Sequence, residues 1–224
     1  MDFNNLTLID GVFVKELKNR FLCEVIIDGK SMECYVPSSC HLSNFIDISN
    51  CPVLLIKNPE KSRTAYSLFA FKLQEKYVLL NTSIANKIIF EKLSSRMFAF
   101  LGKRKNVFKE YKYQGYKSDI FIEDTNSFIE IKSLLTLDKI GIFPTVYSER
   151  TINQLKSFCE FLRNGIKVNF FIVSLNPYVK KIQINKNTDF YLLFKDCISL
   201  GMKLYGFKID FNNSLSIKRI PCII

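Results

Sequence analysis

The pattern of apolar residues changes near Asn81, and that change restricts the chain to two architectures in series. Before it, GVFVKEL, RFLCEVIID, SMECYVP, PVLLIKN, TAYSLFAFKL and KYVLLNT are short, rich in β-branched and aromatic residues, and separated by turn formers. Such segments read as strands. Asp28-Gly29 can supply the positive φ of a tight hairpin between the second and third. A row of short strands with little helix predicts a small barrel, and the OB fold is the natural nucleic-acid-binding form of one. After Asn81, SIANKIIFEKL places apolar side chains at 84, 88, 89 and 93, a helical period. SERTINQLKSFCEFLRNG repeats the signal, with Ile152, Leu155, Phe158 and Leu162 on one face and Gly165 as the stop. Two strands joined through EDTN are expected across 116–133, then KVNFFIVSL, a helix near 188–200, and the strands KLYGFKID and SLSIKRI. Strands flanked by helices define an α/β unit. The expected fold class is α/β (α+β overall), with an OB-like domain over residues 1–82 and a second domain over 83–224.

Charge is divided as unequally as structure. Residues 1–80 carry nine Lys/Arg and nine Asp/Glu, so the whole formal charge of +11 belongs to residues 81–224. An AT-rich genome raises lysine in both halves alike, so the asymmetry points to a polyanion facing the second half. The densest stretch, KRKNVFKEYKYQGYK (103–117), holds six basic residues, three tyrosines and one acid, Glu110. Basic side chains interleaved with aromatics suit phosphate contacts and base stacking. Nucleic acid, DNA ahead of RNA, is the expected partner, with Lys103, Arg104, Lys105, Lys112 and Lys117 as candidate contacts. A solvated charged segment is the plainer alternative. In the barrel the candidates are Arg20 and Phe21, with His41 behind them and Phe21 as core residue the competing reading.

Several function classes fall away. No run approaches the ~18 apolar residues that span a bilayer, and MDFNNLTLID lacks a signal-peptide pattern. A cytoplasmic protein with no membrane partner is expected; the sequence leaves oligomeric state open. Seven widely spaced cysteines predict reduced thiols rather than a disulfide framework. Cys34, Cys40, His41 and Cys51 lack the paired spacing of tetrahedral zinc sites, and burial as small apolar side chains explains the cysteines equally well. His41 is the sole histidine, which excludes any two-histidine scheme, and no nucleophile elbow accompanies it.

The chemistry concentrates in SFIEIKSLL (127–135), where strand alternation puts Glu130 and Lys132 on one face and Ile129 and Ile131 on the other. Glu-x-Lys alone carries little information. The preceding strand supplies Asp119: a turn at Asp124-Thr125 sets Phe121 opposite Phe128 and Asp119 opposite Glu130. Directly paired Cβ atoms lie ~4.5–5.5 Å apart, and two carboxylates that close repel unless one is protonated or a cation sits between them. Mg²⁺ takes hard oxygen ligands, one or two carboxylates with water and phosphate, and Mn²⁺ is its alternative here. Lys132 would orient water or stabilise charge on a phosphoryl group. Asp-x₁₀-Glu-x-Lys on a hairpin is the PD-(D/E)xK nuclease arrangement, with Asp119 and Glu130 as metal ligands. Its bland alternative is an exposed face with a surface ion pair, worth little.

The chain also resembles the sugar fermentation stimulation protein A family. The matching pieces, in order, are NRFLCEV (19–25), RTAY (63–66), NTSIAN (81–86), KEYKY (109–113), Asp119, EIKS (130–133), FP (143–144) and ER (149–150) with Leu155. The resemblance implies an OB-like domain followed by a PD-(D/E)xK nuclease-like domain, nucleic-acid binding, a metal-dependent nuclease site and a role in regulating sugar metabolism genes. Carried over by position, it adds Glu110 to Asp119, Glu130 and Lys132, and Arg150 to the nucleic-acid contacts. The sequence departs from the family at Ser38-Ser39-Cys40-His41, Tyr116-Lys117, Thr145 and Asn153-Gln154. The expected function is a metal-dependent nuclease; the alternative is a DNA-binding regulator of sugar genes that does not cut.

Overall fold

The computed structural model describes residues 7–38, 41–212 and 214–224. The six strands expected in the first half are β1 (Leu8–Glu16), β2 (Leu22–Ile27), β3 (Lys30–Tyr35), β4 (Pro52–Lys57), β5 (Tyr66–Leu73) and β6 (Lys76–Leu79). Asp28 and Gly29, at φ 49° and 75°, form the β2–β3 turn as their sequence predicts. The order β3-β2-β1-β4-β5 closes on itself where Tyr35 meets Ser67 in parallel, which makes the five-stranded barrel, and β6 extends it. Cys23, Val25, Cys34, Leu55, Leu68 and Phe69 fill the interior. Phe21 does not. It is 37% exposed, stacked on Tyr35 with the Arg20 guanidinium 4.7 Å above its ring, so the core reading of Phe21 is corrected.

The second half runs α1 (Ser83–Lys92), β7 (Val107–Lys109), the two-residue strands β8 (Lys112–Tyr113) and β9 (Tyr116–Lys117), β10 (Ile120–Ile122) and β11 (Ser127–Leu134). It continues through β12 (Ile140–Phe143), α2 (Glu149–Arg163), β13 (Lys167–Ser174), β14 (Lys181–Ile184), α3 (Asp189–Ser199), β15 (Lys203–Asn212), β16 (Ser214–Ile220) and β17 (Cys222–Ile223). The barrel's sheet does not stop at β6. Tyr77 pairs with Phe211 of β15, and the sheet goes on through β13, β11 and β10 to β7. The central strands β15, β13 and β11 run parallel to one another. Strands covered on both faces read as unbroken apolar runs, which is why KVNFFIVS shows no alternation.

Two cores result. On one face Ile129, Ile131, Phe171, Phe207 and Phe211 join the barrel's own Phe69, Val78 and Leu55 in a single cluster that α1 completes with Ile84 and Ile88. On the other, Phe128, Phe170 and Ile172 pack under Leu155 and Phe158 of α2 and Phe194 of α3. The apolar stripe of α2 is rotated from the one the heptad-like spacing suggests. Thr151, Gln154, Leu155, Phe158, Cys159 and Phe161 are buried, while Ile152 and Leu162 are only partly covered.

The cysteines act as apolar side chains. Burial pushes the Cys23 and Cys34 thiols up, Cys34 to about 11, and both face the barrel core. Cys40, with Ser39, lies outside the described residues. Among the described residues no group of three His, Cys, Asp or Glu side chains is placed to hold a metal ion.

Candidate active site

β11 enters the site as a central strand, antiparallel to β10 and parallel to β13. Phe121 stands opposite Phe128, the expected register, but paired strand ends at Ile120 and Asp119 lies just beyond it. There the Asp119 side chain replaces the missing backbone: its Oδ2 accepts from the Ile131 amide at 2.8 Å. Its Oδ1 accepts from Asn86 Nδ2 of α1, also at 2.8 Å. The carboxylate thereby ties the barrel-side helix to the central strand.

The Glu130 and Lys132 face is not solvated, and the exposed-face alternative is corrected. Glu130 is 3% exposed because α2 lies over it. Its Oε1 accepts from Lys132 Nζ at 2.8 Å and from Gln154 Nε2 at 2.9 Å, and its Oε2 from the Tyr116 hydroxyl at 2.5 Å. Lys132 Nζ also donates to Gln154 Oε1 at 2.5 Å. Burial, then the Glu130 charge, raises the Tyr116 phenol far above its ordinary range, so it stays a neutral donor. The same two causes, in the same order, raise Asp119 to about 6, against the lowering pull of its two hydrogen bonds and Lys132.

A cleft of about 490 Å³ opens over these groups. Asp119, Glu130 and Lys132 form its floor, and Ser38 and Phe45 of the barrel contribute one wall. The first turns of two helices meet it: Ser83 and Asn86 of α1, Arg150 and Thr151 of α2. Ser148 caps α2 by accepting from the Thr151 amide at 3.3 Å. Helix N-termini carry partial positive charge and free amides, a setting that favours phosphate.

The remaining expected residues are placed unevenly. Arg150 is exposed on the cleft rim. Glu110 is outside the cleft lining, its side chain 72% exposed and 2.9 Å from Lys117. Lys103 pairs with Asp124 at 3.1 Å. Arg104 is turned inward, its guanidinium donating to the carbonyls of Leu93, Gly102 and Ser95. Lys105 and Lys112 are exposed. The tyrosines of this stretch are not presented for base stacking, which corrects that reading. Tyr111 stacks on Phe121 at 4.5 Å, Tyr113 packs on Phe128 and Phe161, and Tyr116 is buried under α2. In the barrel, His41 lies 3.6 Å from Glu16.

Asn86, Tyr116 and Gln154 are the site residues that sequence reasoning missed. An uncharged donor on each element facing Glu130 was the available signal.

Comparison with known proteins agrees with this geometry. A family model described as the sugar fermentation stimulation protein RE domain matches residues 83–214, and one described as the SfsA N-terminal OB domain matches 17–80. The chain is 25% identical over 218 residues to a sugar fermentation stimulation protein homolog of Desulforamulus reducens, covering 95% of this chain and 90% of that one. A homolog from Clostridium acetobutylicum is 28% identical over 171 residues, covering 74% and 73%. The structure of Pyrococcus furiosus SfsA in complex with Ca²⁺ superimposes with a TM-score of 0.85 at 18% identity, over 97% of this chain and 96% of that one. A barrel matched by one family description, a helix-flanked sheet matched by the other, and a shared fold across nearly all residues show that this chain belongs to the sugar fermentation stimulation protein family.

Proposed function

We propose that the cleft binds a divalent cation, Mg²⁺ or Mn²⁺, at Asp119 and Glu130 and hydrolyses phosphodiester bonds of a nucleic acid. The observation that carries this reading is the meeting of two carboxylates, Asp119 and the buried Glu130, beside Lys132 in one cleft; burial first, and then the Glu130 charge, raises Asp119 in the absence of a cation. The donor set fits. Ionised carboxylates offer about four acceptor sites each; Asp119 receives two donors and Glu130 three, so both retain capacity. Two protein carboxylates with water and phosphate completing the shell match the habit of Mg²⁺. The structure of the Pyrococcus furiosus protein is of a complex with Ca²⁺, also a hard oxygen-seeking ion.

Bound there, the cation supplies polarisation of a phosphoryl oxygen and a more acidic water. The chain's own residues do the rest. Lys132, held by Glu130 and Gln154, presents an ammonium where charge develops on the phosphoryl oxygens. The α1 and α2 N-termini and Arg150 receive the flanking phosphates. Tyr116 and Gln154 fix the Glu130 carboxylate, so its oxygens need little reorganisation.

One observation favours a second reading, a binder that does not cut: Glu130 already accepts three hydrogen bonds without a metal. Incubation with labelled single- and double-stranded DNA and RNA in Mg²⁺, Mn²⁺ or EDTA separates the two. Cleavage that needs metal and disappears in Asp119→Asn and Lys132→Ala supports hydrolysis. Binding without cleavage in any metal supports the second reading.

A further inference from the structure

Tyr147 and Leu192 are the most exposed large hydrophobic side chains among the described residues, at 75% and 70%. One stands on the loop between β12 and α2, the other on α3, yet both border a single depression of about 480 Å³ with Tyr191, Lys186 and Thr188. Single exposed hydrophobics are ordinary. Two converging on one hollow beside the Tyr191 ring are not scattered in that way. Charge accompanies them: the ammonium groups of Lys186 and Lys195 lie 5.8 and 5.6 Å from the Tyr191 ring centroid. Asp189, in the first turn of α3, is the one acid bordering the hollow.

A small pocket lies between the hollow and the cleft and shares lining residues with each. Tyr147 and Thr188 also line a small apolar pocket of about 80 Å³, and Thr145, Val146 and Ser148 of that pocket line the cleft over Asp119 and Glu130. Aromatic faces flanked by ammonium groups match unpaired bases followed by their phosphates. The lysines select a polyanion over an apolar protein segment. A base-paired duplex, its faces already stacked, has none to offer.

We propose that Tyr147 and Leu192, beside the ammonium groups gathered at Tyr191, form a shelf that stacks unpaired bases of a single-stranded nucleic acid whose backbone continues into the cleft. The proposal rests on the cleft binding nucleic acid and adds the strand state that it selects. Tyr147 and Leu192 sit outside the carboxylate network, and Tyr147→Ala removes a ring exposed enough to leave the fold intact, which a circular-dichroism melt checks.

The test is fluorescence anisotropy in EDTA with a labelled single-stranded oligonucleotide and its duplex, using the full chain, Tyr147→Ala and Tyr147→Ala/Leu192→Ala. Base stacking on an aromatic side chain predicts at least roughly fivefold weaker single-strand binding once the Tyr147 ring is removed, with duplex binding within about twofold of the parent. Unchanged single-strand affinity in both variants overturns the shelf while leaving the cleft reading intact. Equal losses on single strand and duplex overturn the assignment of strand state. A parent that binds neither oligonucleotide in EDTA, nor when the measurement is repeated with Ca²⁺, overturns the cleft reading and the shelf together. A change in oligomeric state by light scattering, with oligonucleotide affinity unmoved, assigns the surface to a second copy and overturns the proposal.

Discussion

Asp119→Asn should make the metal-free protein more stable at neutral pH. The parent carboxyl is raised from 3.8 to about 6, so its charged form is disfavoured by ~3 kcal/mol in the folded state at neutral pH. Asparagine removes that charge while keeping an oxygen for the Ile131 amide. Its new N–H₂ faces Asn86, whose amide can turn to present oxygen, so no partner is stranded. Weakening two charge-assisted bonds to neutral ones offsets about half of the gain, leaving ~1–2 kcal/mol. For a chain of this size that is a rise in Tm of ~2–8 °C. The sign follows from linkage. A group raised in the folded state contributes stability that is full below pH 3.8 and lost as pH rises through about 6. The variant's advantage should therefore be near zero at pH 4 and complete by pH 7.5. Thermal melts in EDTA across that range measure it. Repeated with Mg²⁺ or Mn²⁺, they should show a rise in the parent, by mass action on the native state, and none in the variant. An Asn variant no more stable than the parent at pH 7.5, or a difference independent of pH, would refute the claim that two facing carboxylates strain this site.

Five other substitutions separate the roles of the site residues from those of the basic stretch. Tyr116→Phe removes one donor from a charged, buried acceptor and should lower stability by ~1.5–3 kcal/mol by denaturant melt, with metal-induced stabilisation retained. Lys132→Ala should abolish cleavage but keep the metal-dependent rise in Tm; loss of both would show that the lysine acts through metal binding. Arg104→Ala should lower stability and leave the salt dependence of nucleic-acid binding unmoved, because its guanidinium serves three backbone carbonyls. Lys105→Ala and Lys112→Ala should instead reduce the slope of log K against log salt by up to ~0.9 per lost duplex phosphate contact.

Local pattern carried the hairpin, and distant packing decided what its side chains meet. Alternation and turn chemistry were enough to pair Phe121 with Phe128, since a shift of one residue would turn Ile129 and Ile131 out of the core. They could not show that Glu130 is buried, because its cover is a helix that begins at Glu149. Gln154 was illegible for the same reason: its hydrogen bonds to Glu130 and Lys132 depend on how α2 is rotated. The basic stretch at 103–117 misled in its aromatics. Tyr111, Tyr113 and Tyr116 look free in the sequence, but Phe121, Phe128 and Phe161 claim them. The strands β12, β14 and β17 passed unnoticed because two to four residues hold too little periodicity to read.

The sheet that runs from the barrel into the second half decides how the cleft can move. Its walls come from both halves, and the halves are sewn together by the Tyr77–Phe211 pairing, the Lys76–Asp210 ion pair at 2.5 Å, a Leu79-to-Leu175 backbone bond and the Ser133 hydroxyl on the Thr82 carbonyl. Phe69 meets Phe211 across that seam at 5.1 Å. Jaws hinged on a linker part at little cost, but these would part only by tearing a ladder and wetting a core. Such an opening belongs to partial unfolding rather than to a catalytic cycle. The aperture is thus a property of the fold, and under the proposed function the burden of fitting it would fall on the nucleic acid.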